Sequence, residues 1–153
     1  MKTFKWALGI LMVLVPAAVF AQKASEIELT RSVIQTKKKL IVAANMPLTE
    51  QESEAFWPLY NDYQQALRKV NDRKVKLIQG YARDYPALTD EKAEEMLDEF
   101  LDIETEEVKL KKSYVNKFRK VLPDKKVTRY FQVENKLDAI INFELADSIP
   151  LVR

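Results

Sequence analysis

The sequence predicts an all-α fold: an elongated antiparallel helical hairpin within a set of four helices. Three observations carry that expectation. Apolar residues recur at three- and four-residue steps over most of the chain beyond residue 25, and no stretch there alternates apolar and polar as a strand would. Five prolines in the same region (Pro47, Pro58, Pro86, Pro123 and Pro150) stand mostly where the helical period breaks.

The first element is not part of that fold. Lys2 and Lys5 precede an apolar run from Trp6 to Phe20, and Val19-Phe20-Ala21 offers tolerable residues at the −3 and −1 positions of a cleavage site. The run is shorter than the ~20 residues that span a bilayer. Residues 1–21 are therefore expected to be a signal peptide cleaved after Ala21, leaving residues 22–153 as a single all-helical domain. A Gram-negative periplasm is the most natural destination, with a Gram-positive or eukaryotic secretory route as the alternative.

Helices are expected at about 25–44, 50–83, 90–121 and 124–147. In the first, Ile27, Ile34 and Ile41 form a stripe with Leu40 beside it, and Asn45-Met46-Pro47-Leu48 ends it. The second opens at Thr49, an N-cap candidate, with Glu52 three residues on at the spacing of a capping box. Phe56, Tyr60, Tyr63, Leu67, Val70, Leu77 and Tyr81 continue it, and Pro58 is expected to kink it near Glu54. Asp84 to Leu88 is the turn. Thr89 caps the third helix, whose stripe runs through Met96, Leu97, Phe100, Ile103, Leu110, Tyr114, Phe118 and Val121. After Leu122-Pro123-Asp124 the fourth carries Val127, Tyr130, Phe131, Leu137, Ile140, Ile141 and Leu145, followed by a short apolar tail around Pro150.

Helices two and three read as a degenerate repeat. Leu48-Thr49 maps onto Leu88-Thr89, Glu54 onto Glu94, Tyr60 onto Phe100, Tyr63 onto Ile103 and Val70 onto Leu110. Two capped helices joined by a short turn make an antiparallel hairpin. Charge sets its register. The acidic stretch from Asp90 to Glu107 should lie against Arg68, Lys69, Arg73, Lys74 and Lys76, and the basic half of helix three against Glu50, Glu52, Glu54 and Asp62. Exposed pairs of this kind contribute roughly 0.2–1 kcal/mol each, so they select register more than they stabilise it.

The inventory narrows the chemistry. No His and no Cys occur, which excludes thiol nucleophiles, Ser-His-Asp triads and zinc fingers, and Gly80 is the one glycine beyond the signal, too few for a phosphate loop. Without Lys2 and Lys5 the 25 basic residues fall to match the 23 acidic ones, a balance that argues against a nucleic-acid partner. Glu91, Glu94, Glu95, Asp98 and Asp102 fall at helical spacings, but a straight helix face cannot wrap a hard cation, so they read as a solvated face. No enzyme activity, cofactor, metal or small-molecule substrate is expected.

Phe56, Trp57, Tyr60 and Tyr63 should meet Tyr114, Phe118, Tyr130 and Phe131 in a core at the open end of the hairpin. Long amphipathic helices in so short a chain leave stripes uncovered, which calls for a second subunit, a partner or a client. Basic clusters beside such surface (Lys37 to Lys39, Arg68 to Lys76, Lys109 to Lys126) would attract unfolded or acidic chains. Arg68, Arg73, Lys109 and Lys112 are the candidate client-binding residues.

Leu48-Thr49-Glu50-Gln51-Glu52 opening one long helix, and Leu88-Thr89-Asp90-Glu91-Lys92 opening the next, resemble the Spy/CpxP family, marked by a twice-occurring LTxxQ motif. Glu52 and Lys92 stand where that family has Gln; Glu52 keeps an acceptor and Lys92 does not. The resemblance implies all-helical periplasmic proteins that dimerise into a curved cradle. Some members are ATP-independent chaperones and some restrain an envelope-stress sensor kinase; the metal-binding relatives rely on His, which is absent here. The expected function is shielding of unfolded envelope proteins by a homodimer, with binding to the periplasmic domain of a membrane sensor as the alternative.

Overall fold

The computed structural model describes residues 36–152, without the side chains of Glu144, Leu145 and Ser148. The predicted signal peptide and its cleavage site lie outside the described residues, as does the start of the predicted first helix with Ile27 and Ile34. The chain divides into two compact units, Met1–Leu40 and Ile41–Arg153, a division that falls within the span assigned to one domain from the sequence. In the first unit residues 36–40 are described, and they are helical; residues 41–45 of the second are helical too. The helical residues 41–45 of the second unit are called α1. The second unit continues with α2 (Glu50–Asp84), a 3-10 turn (Tyr85–Ala87), α3 (Asp90–Phe118) and α4 (Asp124–Ser148). The described residues contain no strand, and the fold is all-α as predicted.

α1 stops where Pro47 forbids continuation. The Asn45 side-chain amide donates to the Ile41 carbonyl at 2.8 Å, and Arg129 Nε donates to the Asn45 carbonyl at 2.6 Å, tying this helix end to α4. α2 then begins with a complete capping box. The Glu52 amide donates to Thr49 Oγ1 at 3.3 Å while the Thr49 amide donates to Glu52 Oε2 at 2.7 Å. The helix passes through Pro58 without ending. Glu54, whose carbonyl loses its helical donor there, is exposed, so water can supply the missing bond.

α3 ends at Phe118, short of the predicted boundary at residue 121. The Lys120 and Val121 amides donate to carbonyls three residues back, at 3.1 and 3.0 Å, and tighten the last turn. Pro123 disfavours a helical Leu122, and the early stop lets both Phe118 and Leu122 turn into the core.

The core is the predicted aromatic cluster. Phe118 lies 4.8 Å from Tyr130 and 5.5 Å from Phe56 between ring centroids, and Tyr63 lies 5.0 Å from Tyr114. Val42, Met46, Leu122 and Val127 close it with aliphatic side chains. The repeat is visible in burial: Tyr63 and its counterpart Ile103 are both fully buried. One helical turn away the copies diverge, because α4 brings Tyr130 onto Tyr60 at 6.0 Å, whereas Phe100 remains 40% exposed.

The hairpin register is set as the charge pattern predicts, with one correction. Arg73 of α2 pairs with Glu99 and Glu106 of α3, and Lys74 with Glu104 at 2.9 Å. The basic half of α3 was expected to meet Glu52, but Glu52 pairs with Lys126 of α4. Lys111 of α3 instead lies 3.8 Å from Glu107 on its own helix and donates to Asn135 of α4 at 3.4 Å. The reason is that α4 lies beside the start of α2 and supplies the nearer cation.

Candidate functional site

The two capping motifs perform different tasks. At the first, Thr49 and Glu52 form the full reciprocal box, and Leu48 packs against the aromatic core. At the second, Thr89 still caps, accepting from the Lys92 amide at 3.3 Å. Lys92 cannot return the bond, and its ammonium turns to Glu95 at 2.7 Å. Glu91 bonds nearby instead, without reaching the Thr89 backbone amide. Its carboxyl is held below the usual range by its own backbone amide first and then by the Thr89 hydroxyl. Leu88 faces away from the core and lines a groove at the turn end of the hairpin.

The four candidate cations do not act as one set. Arg73 is committed within the fold: Nε and an Nη reach both Glu99 oxygens at 3.0 and 2.9 Å, and the other Nη meets Glu106. The bidentate pair clamps α2 to α3. Arg68, Lys109 and Lys112 are exposed. With Tyr63 packed on Tyr114 and Arg73 on Glu99, the antiparallel register brings Arg68 level with Lys109, and Lys112 lies about a turn further on. Glu91, Glu94, Glu95, Asp98 and Asp102 are all exposed, as expected of a solvated face.

A groove opens on the hairpin beyond Arg73. It has a volume of about 590 Å³, within the ~300–1,000 Å³ typical of ligand pockets. α2 contributes Leu77, Ile78 and Tyr81, and α3 contributes Met96, Leu97 and Phe100. Lys74 and Glu104 at its rim are already paired with each other, and Lys74 Nζ lies 5.9 Å from the Phe100 ring, so little unpaired charge enters. The groove stays open because α4 passes it with Asn142 and Ala146, side chains too small or too polar to fill it. No protein-family model, curated protein or solved structure matches this chain.

The sequence stripes name most of these lining residues but not the groove. What decides it is the choice of small residues on α4, a signal present at Asn142 and Ala146 in the sequence and readable only once α4 is aligned with the hairpin. Sequence reasoning also passed over Glu134. It occupies a stripe position, three and four residues after Phe131 and Tyr130, and it is fully buried. Gln64 Nε2 donates to Glu134 Oε2 at 3.2 Å and contacts the Tyr130 hydroxyl at 3.4 Å, making a polar seam between α2 and α4. A charged residue on an apolar stripe was the available signal.

Among the described residues, no helix is long and apolar enough to cross a membrane.

Proposed function

We propose that this chain is an exported, ATP-independent binding protein of the Spy/CpxP type that shields unfolded envelope proteins in the periplasm. The open apolar groove at the turn end of the hairpin carries this reading. Its Leu97 is 59% exposed, and two further side chains of α3 are uncovered, Leu101 at 53% and Val108 at 52%. Monomeric soluble proteins rarely leave such surface without a use. The exposed cations Lys109 and Lys112 follow Val108 in sequence and suit electrostatic capture of acidic or unfolded chains. Contact alone does the work, and no nucleotide or cofactor enters it.

The test is an aggregation assay without ATP, using a chemically unfolded client and a several-fold excess of the protein. Slower client aggregation supports the reading. Added salt should slow capture more than it releases clients already bound, since charge attraction is screened beyond roughly 8 Å at physiological ionic strength while apolar contact is not. Charge reversal at Lys109 and Lys112 should reduce capture; reversal at Arg73 would disturb the hairpin and is uninformative. Unchanged aggregation with and without the protein refutes shielding, and a regulator bound stoichiometrically to the periplasmic domain of a sensor kinase then becomes the reading to test.

A further inference from the structure

Two tyrosines at the turn end of the hairpin hold main chain rather than side chain. The Tyr81 hydroxyl donates to the Pro150 carbonyl at 2.8 Å, and the Tyr85 hydroxyl donates to the Leu151 carbonyl at 3.1 Å. The two rings lie 5.5 Å apart between centroids, so the end of α2 and the turn after it present two donors to successive carbonyls. The segment they hold leaves α4 in extended form. Ile149 has φ −100° and ψ 116°, the backbone that a following proline enforces. Ile149, Pro150, Leu151 and Val152 thus form one edge of the apolar groove. They do not fill it. Leu151 is 87% exposed and Val152 61%, although apolar side chains of α2 and α3 lie open beside them.

We propose that the groove is a main-chain-reading peptide site, that its ligand is a short extended aliphatic segment with proline from an unfolded polypeptide, and that residues 149–152 hold its two tyrosine donors until such a segment displaces them. The proposal deepens the shielding reading above and rests on it for the source of the peptide. Hydroxyl-to-carbonyl bonds recognise backbone whatever the sequence, as a protein with many clients requires. Proline-bearing extended chain reaches the site already ordered and loses less entropy on binding. A client that turns its aliphatic side chains inward gains burial that Leu151 and Val152 forgo, so it can displace a tethered segment whose effective concentration is high. The paired Lys74 and Glu104 at the rim leave the floor neutral, which disfavours charged segments.

The experiment uses a fluorescent acetylated peptide, Ser-Ile-Pro-Leu-Val-Arg, copied from residues 148–153, with binding read by anisotropy. A chain lacking residues 149–153 should bind it at least fivefold more tightly than the unaltered chain. Tyr81→Phe with Tyr85→Phe in the shortened chain should weaken binding at least fivefold, and a peptide with Ser at the three aliphatic positions should not bind. Equal affinity with and without residues 149–153, or indifference to the tyrosine substitutions, overturns the proposal. So does a dimer that dissociates when residues 149–153 are removed, because the occupant is then the same segment of a second copy. Should the shortened chain lose its helical signal, the unaltered chain carries the test by NMR. Titration with the peptide must shift the amides of Ile149, Leu151 and Val152 and those near Tyr81, and no shift there overturns the site. Peptide binding without client protection upholds the groove and removes the shielding reading; client protection that survives both tyrosine substitutions, with no peptide binding, does the reverse.

Discussion

Lys126, in the first turn of α4, donates to the same Glu52 oxygen that accepts the Thr49 amide and closes the capping box of α2. One carboxylate thus caps the longest helix and anchors another helix to it. A Gln at this position could cap but, being neutral, could not form the ion pair.

Thr49→Ala should lower stability by about 0.5–2 kcal/mol, the usual loss for a side-chain N-cap. Thr89→Ala should cost no more, because Lys92 returns no bond to the Thr89 backbone. Chemical denaturation of the two variants measures both. A larger loss at Thr89 would mean that the second motif, not the first, is the structural anchor.

Acid should destabilise the fold through Glu52 and Glu99. Lys126 first, and then the Thr49 amide, hold the Glu52 carboxyl below its usual range, and Arg73 does the same for Glu99. Both groups bind protons less readily when folded than when unfolded. Their contribution is therefore complete above the unfolded carboxylate value, about 4.3, and is lost as pH falls through the lower folded values. The denaturation midpoint should stay level from neutral pH to about 5 and drop below about 4. Glu52→Gln should make that drop shallower; an acid limb of unchanged steepness would separate Glu52 from it.

Tyr63→Phe should leave stability unchanged or raise it. The Tyr63 hydroxyl is buried with no hydrogen-bond partner among the described residues, and an unsatisfied buried polar group costs about 1–3 kcal/mol. The ring, which does the packing against Tyr114 and Phe118, is retained. A clear fall in the thermal midpoint would reveal a partner for that oxygen.

Gly80→Ala should stabilise the protein by roughly 0.5–1 kcal/mol, since Gly80 lies inside α2 with no positive φ to preserve. A methyl group there would meet Met96 Cε at 3.8 Å and an Arg83 guanidinium nitrogen at 3.9 Å, ordinary contacts. Differential scanning calorimetry reads the gain, and a lower midpoint would mean that the Met96 side of the groove is packed more tightly than these distances allow.

The protein should sediment as a homodimer at micromolar concentration. On α4 Ile140 is 61% exposed and Phe143 72%, a pair that a two-fold partner would cover. The mass of one chain would exclude this. A dimer made through α4 should persist when residues 149–153 are absent.

Among the described residues, the sequence by itself determined the helices to within a few residues, the caps and the aromatic core. These follow from local rules: a 3.6-residue period, an oxygen three residues before an amide, and a proline that cannot continue a turn. It also determined the hairpin register, because Arg73, Lys74 and the acidic start of α3 leave one antiparallel arrangement free of like-charge contact. The placement of α4 required the tertiary structure. Only with α4 in place does Lys126 become the partner of Glu52, and does Glu134 become a buried carboxylate rather than a solvated one. The groove is likewise a difference between elements: Leu77, Tyr81, Met96 and Phe100 are stripe residues on any reading, and they line a cavity because Asn142 and Ala146 pass over them. A period along one helix reports which face is apolar. Whether that face is filled depends on the side chains a distant segment brings to it, and that is settled by packing in three dimensions.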